Sequence, residues 1–508
     1  MYIFDNNFII DVLVNRRGFG DKYFDILLYS LDKNMACISI NQLNTLRYII
    51  KKEYKDIYEK YLQVEKNFKL IKTPSYVDFD NPLANIDIED YMIELSAKSI
   101  DAKIITSDKK FLKLSKYTIK PDEFYIIENN KSTNIDFANL KKQYFLYQNE
   151  LEKEIDEVLN SVSYIMGNKV IEFEKNLEKF SGVKYAISCS SGTDALILAM
   201  MALDIKPNDE IITTPFTFIA TAETIALVGA KPVFVDIDEK SYNIDVDKIE
   251  AKITSKTKAI MPVSLYGQPA NMDKIQEIAD RYNLKVIIDG AQSFGATFNG
   301  ISDSNLGDIS TTSFFPAKPL GCFGDGGAVF TNSEELATKI KQLRVHGQDK
   351  RYHHKYIGIG GRMDTIQCAI VDVKLKYYKR DLTLRQEVAS KYNNAFGSKA
   401  LVLQNGGVKA PLPIILPFID SRATSAFAQY SIRVQNRDDI QAKLKAQGIP
   451  TAVHYPMPLH LQECFEYLGY KKGDFPISEM VSSEIMSLPM NPYLSDDEIN
   501  YICDKICD

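Results

Sequence analysis

Between residues 190 and 290, short uninterrupted apolar runs alternate with stretches of helical spacing, and this alternation narrows the folds open to the chain more than any other feature. The runs fall at 210–214, 232–235, 259–264 and 286–288, and the helical stretches at 194–203, 220–228 and 272–282. A strand that is apolar on both sides is one covered on both faces. Strand–helix alternation then builds a largely parallel sheet between two helix layers. An α/β fold is therefore expected, introduced by a charged amphipathic segment at 140–159. Near residue 385 the alternation gives way to a mixed pattern, which predicts a smaller α+β domain. Residues 1 to about 115 read as a separate α/β unit. It has a strand at 2–10, helical spacing at 23–31, 43–58 and 88–99, and a short buried strand at 102–106. The stretch 128–134 has loop composition. The expected domains are 1–134, 135–385 and 386–508.

A chain of 508 residues has room for several such domains. Its 45% hydrophobic and 25% charged residues are the balance of a soluble globular protein. No apolar run approaches the roughly 20 residues that cross a bilayer. Met1-Tyr2-Ile3-Phe4-Asp5 lacks the basic start of a signal peptide. A net charge of −6 does not suggest a nucleic-acid partner. The seven cysteines are scattered, odd in number and without a C-x-x-C pair, so a reducing cytoplasm is the expected compartment.

Three segments carry chemistry. In Ser190-Ser191-Gly192-Thr193-Asp194 a Gly-Thr pair opens a helix, where free backbone N–H groups and a hydroxyl suit an anion. The plainer alternative is an ordinary helix cap. In Val286-Ile287-Ile288-Asp289-Gly290-Ala291-Gln292-Ser293 an acid ends a buried strand, where α/β folds place ligands. A carboxylate there can hold a pyridine nitrogen protonated, or it can merely cap the next helix. In Ser313-Phe314-Phe315-Pro316-Ala317-Lys318-Pro319 a single lysine follows a strand in an uncharged stretch. Desolvation would lower its pKa and let it form an imine, the alternative being a surface-loop lysine. Their order favours one cofactor site, with Asp289 and Lys318 29 residues apart.

Residues 135–508 resemble the DegT/StrS family of sugar aminotransferases. The likeness rests on Ile135-Asp-Phe-Ala-Asn-Leu140, Ser191-Gly-Thr-Asp-Ala-Leu196, Thr214-Pro-Phe-Thr-Phe-Ile-Ala-Thr221, Phe234-Val-Asp-Ile-Asp238, the Asp289 and Lys318 segments, Arg362-Met-Asp-Thr-Ile-Gln367 and Ser487-Leu-Pro-Met-Asn-Pro-Tyr493. The resemblance implies an aspartate-aminotransferase fold of type I, pyridoxal 5'-phosphate as cofactor, and a homodimer with shared active sites. It also implies roles. Lys318 would hold the cofactor and move the proton, and Asp289 would face the pyridine nitrogen. Gln292 would lie beside the 3-oxygen, Phe218 would stack on the ring, and Gly192, Thr193 and Ser313 would take the phosphate. The chain departs from the family at Gly360, where an asparagine usually reaches the partner subunit's phosphate.

His346-Gly-Gln-Asp-Lys-Arg-Tyr-His-His354, Pro262-Val-Ser-Leu-Tyr-Gly267 and Thr451-Ala-Val-His-Tyr-Pro-Met-Pro458 are similar to the branch acting on a UDP-linked 3-keto-N-acetylglucosaminuronic acid, in surface polysaccharide or glycan synthesis. Tyr164, Arg362, His454 and Tyr455 are then the implied substrate contacts, with L-glutamate as amino donor. Arg and His suit a carboxylate or diphosphate, the plainer alternative being that His454-Tyr455-Pro456 merely shapes a loop. The first unit resembles a PIN-type nuclease domain through Asp5, Asp90 and Asp108, three of its metal-binding acids. The fourth is missing, since Ser39-Ile-Asn-Gln-Leu-Asn-Thr45 supplies only amides and hydroxyls. Residues 1–134 hold 20 Lys+Arg and 20 Asp+Glu, which is not the charge of an RNA-binding domain. A degenerate unit without a metal is expected. The competing readings are a pyridoxal-phosphate sugar dehydratase, which Lys318 opposes, a non-catalytic regulator of the same fold, and a metal-dependent ribonuclease.

Overall fold

The computed structural model describes residues 135–399 and 414–507, and of the first 134 only the pieces 2–4, 8–9, 36–39, 46, 69–71, 93, 103–105 and 118–119. The chain divides into two compact units, Met1–Thr133 and Asn134–Asp508.

In the first unit, strands β1 (Tyr2–Phe4), β2 (Ala36–Ser39), β3 (Lys69–Ile71), β4 (Lys103–Ile105) and β5 (Thr118–Ile119) pair in the order β3-β2-β1-β4-β5. Every pairing is parallel. The apolar run expected as one strand over 2–10 is split. The strand ends at Phe4, ahead of the polar Asp5-Asn6-Asn7, and Phe8 and Ile9 are helical and buried. Asp5, Asp90 and Asp108 lie outside the described residues.

The second unit opens with two helices, α1 (Leu140–Ser161) and α2 (Asn168–Ser181). An alternating series follows: β6 (Tyr185–Cys189), α3 (Gly192–Ala202), β7 (Glu210–Thr213), α4 (Ala220–Leu227), β8 (Lys231–Phe234), β9 (Thr257–Ile260), α5 (Met272–Tyr282) and β10 (Lys285–Asp289). A small hairpin, β11 (Thr297–Phe298) and β12 (Ile301–Ser302), leads to β13 (Ile309–Ser313), β14 (Gly327–Thr331) and α6 (Glu334–Leu343). The seven long strands form one sheet in the order β6-β14-β13-β10-β9-β7-β8. Only β14 runs against the rest, paired antiparallel to both β13 and β6. The apolar run at 259–264 becomes a strand only as far as Ile260, because Pro262 has no N–H to give to a ladder.

The helices show why the sheet is covered on both faces. α3 is apolar almost all round, and Ala195, Leu196, Leu198, Ala199 and Met200 are all buried, as expected of a helix enclosed by other elements. Leu198 and Met200 meet Ile187, Ile287, Ile309 and Val329 of the strands in one core. Burying each such side chain contributes about 1.5–3 kcal/mol. α5 is one-sided, burying Met272, Ile275, Ile278 and Ala279 against the opposite face.

A second hairpin, β15 (Gln348–Lys350) and β16 (His353–His354), precedes α7 (Thr365–Lys399), a helix of 35 residues. The boundary expected at 385/386 falls inside this helix, which serves both the large sheet and the smaller part that follows. There β17 (Ile414–Ile415), β18 (Tyr430–Val434) and β19 (Ile485–Leu488) make an antiparallel sheet of three strands. With α8 (Arg437–Ala446), α9 (Pro476–Glu484) and α10 (Asp496–Cys507) they complete the chain. Tyr392 and Phe396 of α7 share a core with Tyr430, Ile432, Leu444, Met486 and Ile502. Among the described residues no helix is long and apolar enough to cross a membrane.

Candidate active site

Parallel strands end on one edge of the sheet, and the register gathers three chemical groups there. Asp289 is the last residue of β10, opposite Thr311 of β13. Two residues further along β13 is Ser313, opposite Gly327 of β14, and Cys189 at the end of β6 lies opposite the same glycine. The chain leaves β6 through Ser190 and Ser191 into the start of α3. A cavity of about 650 Å³ opens over this edge, and Lys318, Asp289, Phe218 and His454 are among the side chains that line it.

The Asp289 carboxylate is buried, with 5% exposure. Oδ2 accepts from Thr221 Oγ1 at 2.7 Å and Oδ1 accepts from the Ala291 N–H at 3.2 Å. Thr221 Oγ1 in turn lies 2.9 Å from Thr217 Oγ1. Burial raises the pKa of Asp289, while Thr221, the Ala291 N–H and the positive charge of Lys318 pull it back down. The anion is therefore costly unless a cation shares the cavity with it. Lys318 is the nearby cation. Burial lowers its pKa and Asp289 opposes that shift, so desolvation makes a neutral, nucleophilic amine accessible.

Gln292 is buried and held at both ends. Its Oε1 accepts from the Tyr266 N–H at 2.7 Å, which orients the amide, and its Nε2 donates to the Tyr455 hydroxyl at 3.1 Å. Phe218 is 55% exposed and lines the cavity, its ring 6.2 Å from that of Tyr455. His454 shares Nδ1 with Ser487 Oγ at 2.9 Å. Burial and then Lys318 depress its pKa to about 4, which keeps the imidazole neutral near pH 7.

The start of α3 forms the remaining wall. Ser191 caps it, its side chain accepting from the Asp194 N–H at 3.0 Å. The N–H groups of Gly192 and Thr193 belong to the first turn, where no intrahelical acceptor exists. A Cβ on Gly192 would come within 2.7 Å of Ser313 Cβ, and one on Gly327 within 2.5 Å of Ser191 O. The glycines thus let the helix start, β13 and β14 close into one cradle suited to an anion. A flat, anionic, carbonyl-bearing cofactor would find a place here for each of its parts. The cradle suits the anion, Phe218 the ring face, Asp289 a ring cation and Lys318 the carbonyl.

Nine of the residues named from the sequence meet at this cavity: Gly192, Thr193, Phe218, Asp289, Gln292, Ser313, Lys318, His454 and Tyr455. Tyr164 and Arg362 are not in its lining. They lie near each other, the Tyr164 carbonyl accepting from the Thr365 N–H at 2.9 Å and Ile165 bridging Asp364. Thr221, Thr217 and Tyr266 were not singled out from the sequence. A faint signal existed for the two threonines, since Thr217, Phe218 and Thr221 are spaced for one face of a helix start. Among the described residues no cluster of three His, Cys, Asp or Glu side chains is placed to hold a metal ion.

Comparison with known proteins places this geometry. The sequence model of the DegT/DnrJ/EryC1/StrS aminotransferase family matches residues 146–507. A Pseudomonas aeruginosa protein named UDP-2-acetamido-2-deoxy-3-oxo-D-glucuronate aminotransferase is 48% identical over 369 residues, covering 73% of this chain and 98% of that protein. A Geobacillus stearothermophilus protein named pleiotropic regulatory protein is 43% identical, covering 74% of this chain and 98% of its own length. Among solved structures, NtdA from Bacillus subtilis with bound cofactor PMP superimposes with a TM-score of 0.67 at 29% identity, covering 81% of this chain and 96% of that one.

Proposed function

The chain belongs to the DegT/DnrJ/EryC1/StrS aminotransferase family, and from that premise we propose that it uses pyridoxal 5'-phosphate to move an amino group from L-glutamate to a UDP-linked 3-keto hexuronic acid. One observation carries the reading: Lys318 and Asp289 line the same cavity as the anion cradle at the start of α3. When bound, pyridoxal phosphate supplies an electron sink for a carbanion at the substrate carbon. The residues present fit it, and each has a task. Gly192, Thr193 and Ser313 bind the phosphate. Phe218 covers one ring face, and Gln292, oriented by the Tyr266 N–H, holds the edge bearing the 3-oxygen. Asp289, fixed by Thr221, keeps a proton on the ring nitrogen. Lys318 Nζ would move the proton between the two reacting carbons, and burial, which lowers its pKa, favours the neutral amine that can accept one.

The name of the Pseudomonas relative supports the choice of sugar. His454 and Tyr455 stand at the cavity for it. Tyr164 and Arg362, on neighbouring segments outside this lining, fit a homodimer in which each subunit lends them to the other's cavity. The regulatory reading draws support from the name of the Geobacillus relative, but it assigns no task to a desolvated lysine facing a buried carboxylate. The cytoplasm is the proposed compartment.

The test is spectral and then chemical. Pyridoxal phosphate added to the protein should give a visible band that borohydride fixes to Lys318, located by peptide mass spectrometry. Glutamate and a panel of UDP-3-keto sugars should then yield aminated sugar with the uronic acid preferred. A fixed label on another lysine, or binding without any amination, would overturn the proposal.

A further inference from the structure

Behind Asp289 lies a second buried carboxyl that the reaction as described does not use. Asp303 sits in a short 3-10 turn, Asp303–Asn305, and is 1% exposed. Its Oδ2 accepts from the Ser293 hydroxyl. Its Oδ1 has no hydrogen-bond partner among the described residues, with Ser264 beside the group. Its backbone N–H is tied to Ala296 O at 2.9 Å. Asp303 lies against Gly290, the residue after Asp289, where a Cβ would come 3.3 Å from Asp303 Oδ2. Ser293 closes the turn that carries both Asp289 and Gln292, its N–H donating to Gly290 O at 3.1 Å. The Ser264 N–H donates to Asp289 O at 3.0 Å. Asp303 therefore bonds to Ser293, which closes this turn, and lies beside Ser264, whose N–H holds its start.

We propose that Asp303 is a positioning residue for Asp289 and Gln292, a carboxyl group that braces their turn through Ser293 and, when it ionises, adds negative potential behind the reactive carboxylate. This rests on the cofactor reading above and deepens it. The charged surroundings of Asp303 are sparse. The charge on Asp289 acts on it, and that of Lys318 acts on Asp289 in turn. β13 and β14, which pack on the 3-10 turn, carry no titratable side chain. At the end of α2, Lys179 is exposed and Glu178 accepts the Ala186 N–H. Asp308, just before β13, pairs with Lys285. Among the described residues no cation pairs with Asp303, so burial, and then the charge on Asp289, push its pKa up to about 6. Asp303 is thus protonated in mildly acidic solution and ionised above it.

Asp303→Asn keeps the shape and the acceptor for Ser293 but cannot ionise. Two measurements on the full chain separate the claims. Without added cofactor, the thermal midpoint is compared between wild type and variant from pH 4.5 to 8. The folded pKa of Asp303 lies above its unfolded value, so wild type should lose stability relative to the variant as pH rises through 6. A flat or opposite difference overturns the proposal. With pyridoxal phosphate bound, the visible band of wild type should show a titration step between pH 5 and 7 that Asp303→Asn lacks. The same step in both proteins, or none in wild type, also overturns it. Ser293→Ala is the second variant. It removes the brace and leaves the carboxyl, and should shift that step rather than abolish it, with an unmoved step counting against the proposal. If wild type binds no pyridoxal phosphate at all, the cofactor reading fails, and with it the role proposed here for Asp303.

Discussion

At the scale of single residues, the site turns on what burial does to charge. Lys318 is drawn away from water with Asp289 as its counter-charge, and its pKa falls because of burial. Lys318→Ala should leave the fold intact, since the side chain lines a cavity. Losing the proton carrier alone should cost at least about 100-fold in amination rate. Circular dichroism and a rapid-mixing assay with glutamate check both halves, and turnover near wild type would remove Lys318 from the mechanism. Gly360 yields a less obvious expectation. A Cβ there would meet the His346 ring at 3.1 and 3.2 Å, with Arg362 Nη2 at 3.8 Å. The imidazole therefore lies against the point where an asparagine side chain would begin. His346→Ala should weaken pyridoxal phosphate binding by roughly the 0.5–1.5 kcal/mol of one hydrogen bond. Gly360→Asn should restore it in that background and bring no gain in wild type. Fluorescence titration of the four proteins decides, and tighter binding by Gly360→Asn alone would show that His346 supplies nothing.

At the scale of elements, the edge of the sheet works because strand ends and helix starts meet there. α4 begins just after Phe218, and its first turn delivers Thr221 to Asp289 Oδ2 at 2.7 Å. Thr221→Val keeps the shape and removes the donor, leaving a buried anion with one hydrogen bond fewer. The loss of a bond to a charged group costs about 1.5–3 kcal/mol. Asp289 should then protonate more readily and hold a ring cation less well. The expected outcome is a kcat reduced by about 10-fold or more with substrate KM little changed, measured by steady-state kinetics. An equal loss in both constants would mean that the helix itself had moved. Much of this edge was legible in advance. Asp289 and Lys318 could be read because a strand end and an uncharged loop are local patterns. Thr221 and Asp303 could not, because their partners lie 68 and 10 residues away in sequence and a hydroxyl or lone acid leaves no periodic trace. The end of the large domain was placed inside α7 for a related reason. A change in sequence pattern marks what a helix packs against, not where it stops.

At the scale of the whole molecule, the question is whether the first unit belongs to the catalyst. The Pseudomonas relative is covered over 98% of its length by only 73% of this chain, so a protein of that family is complete without a counterpart to the remainder. The chain divides into two compact units after Thr133, and the exact residue of a cut matters. Ile135 is buried in the core of the smaller part. Asn491 Nδ2 donates to Asp136 O at 3.1 Å, and the Met490 N–H donates to Phe137 O at 3.0 Å. A chain starting at Asn134 keeps all of these and should retain amination within about threefold of the full chain, since an intact domain folds on its own. A chain starting at Ala138 loses the buried Ile135, about 1.5–3 kcal/mol, together with both hydrogen bonds, and should melt earlier. The separate unit 1–134 should cleave RNA weakly or not at all with Mn²⁺, because its resemblance to a PIN-type nuclease rests on three acids, Asp5, Asp90 and Asp108, one short of the set that would hold the ion and position water. Two results would reverse this division of labour. A 134–508 protein that is folded and dimeric but inactive would make the first unit part of the catalytic assembly. Brisk RNA cleavage by 1–134 that Asp5→Asn stops would make the chain bifunctional.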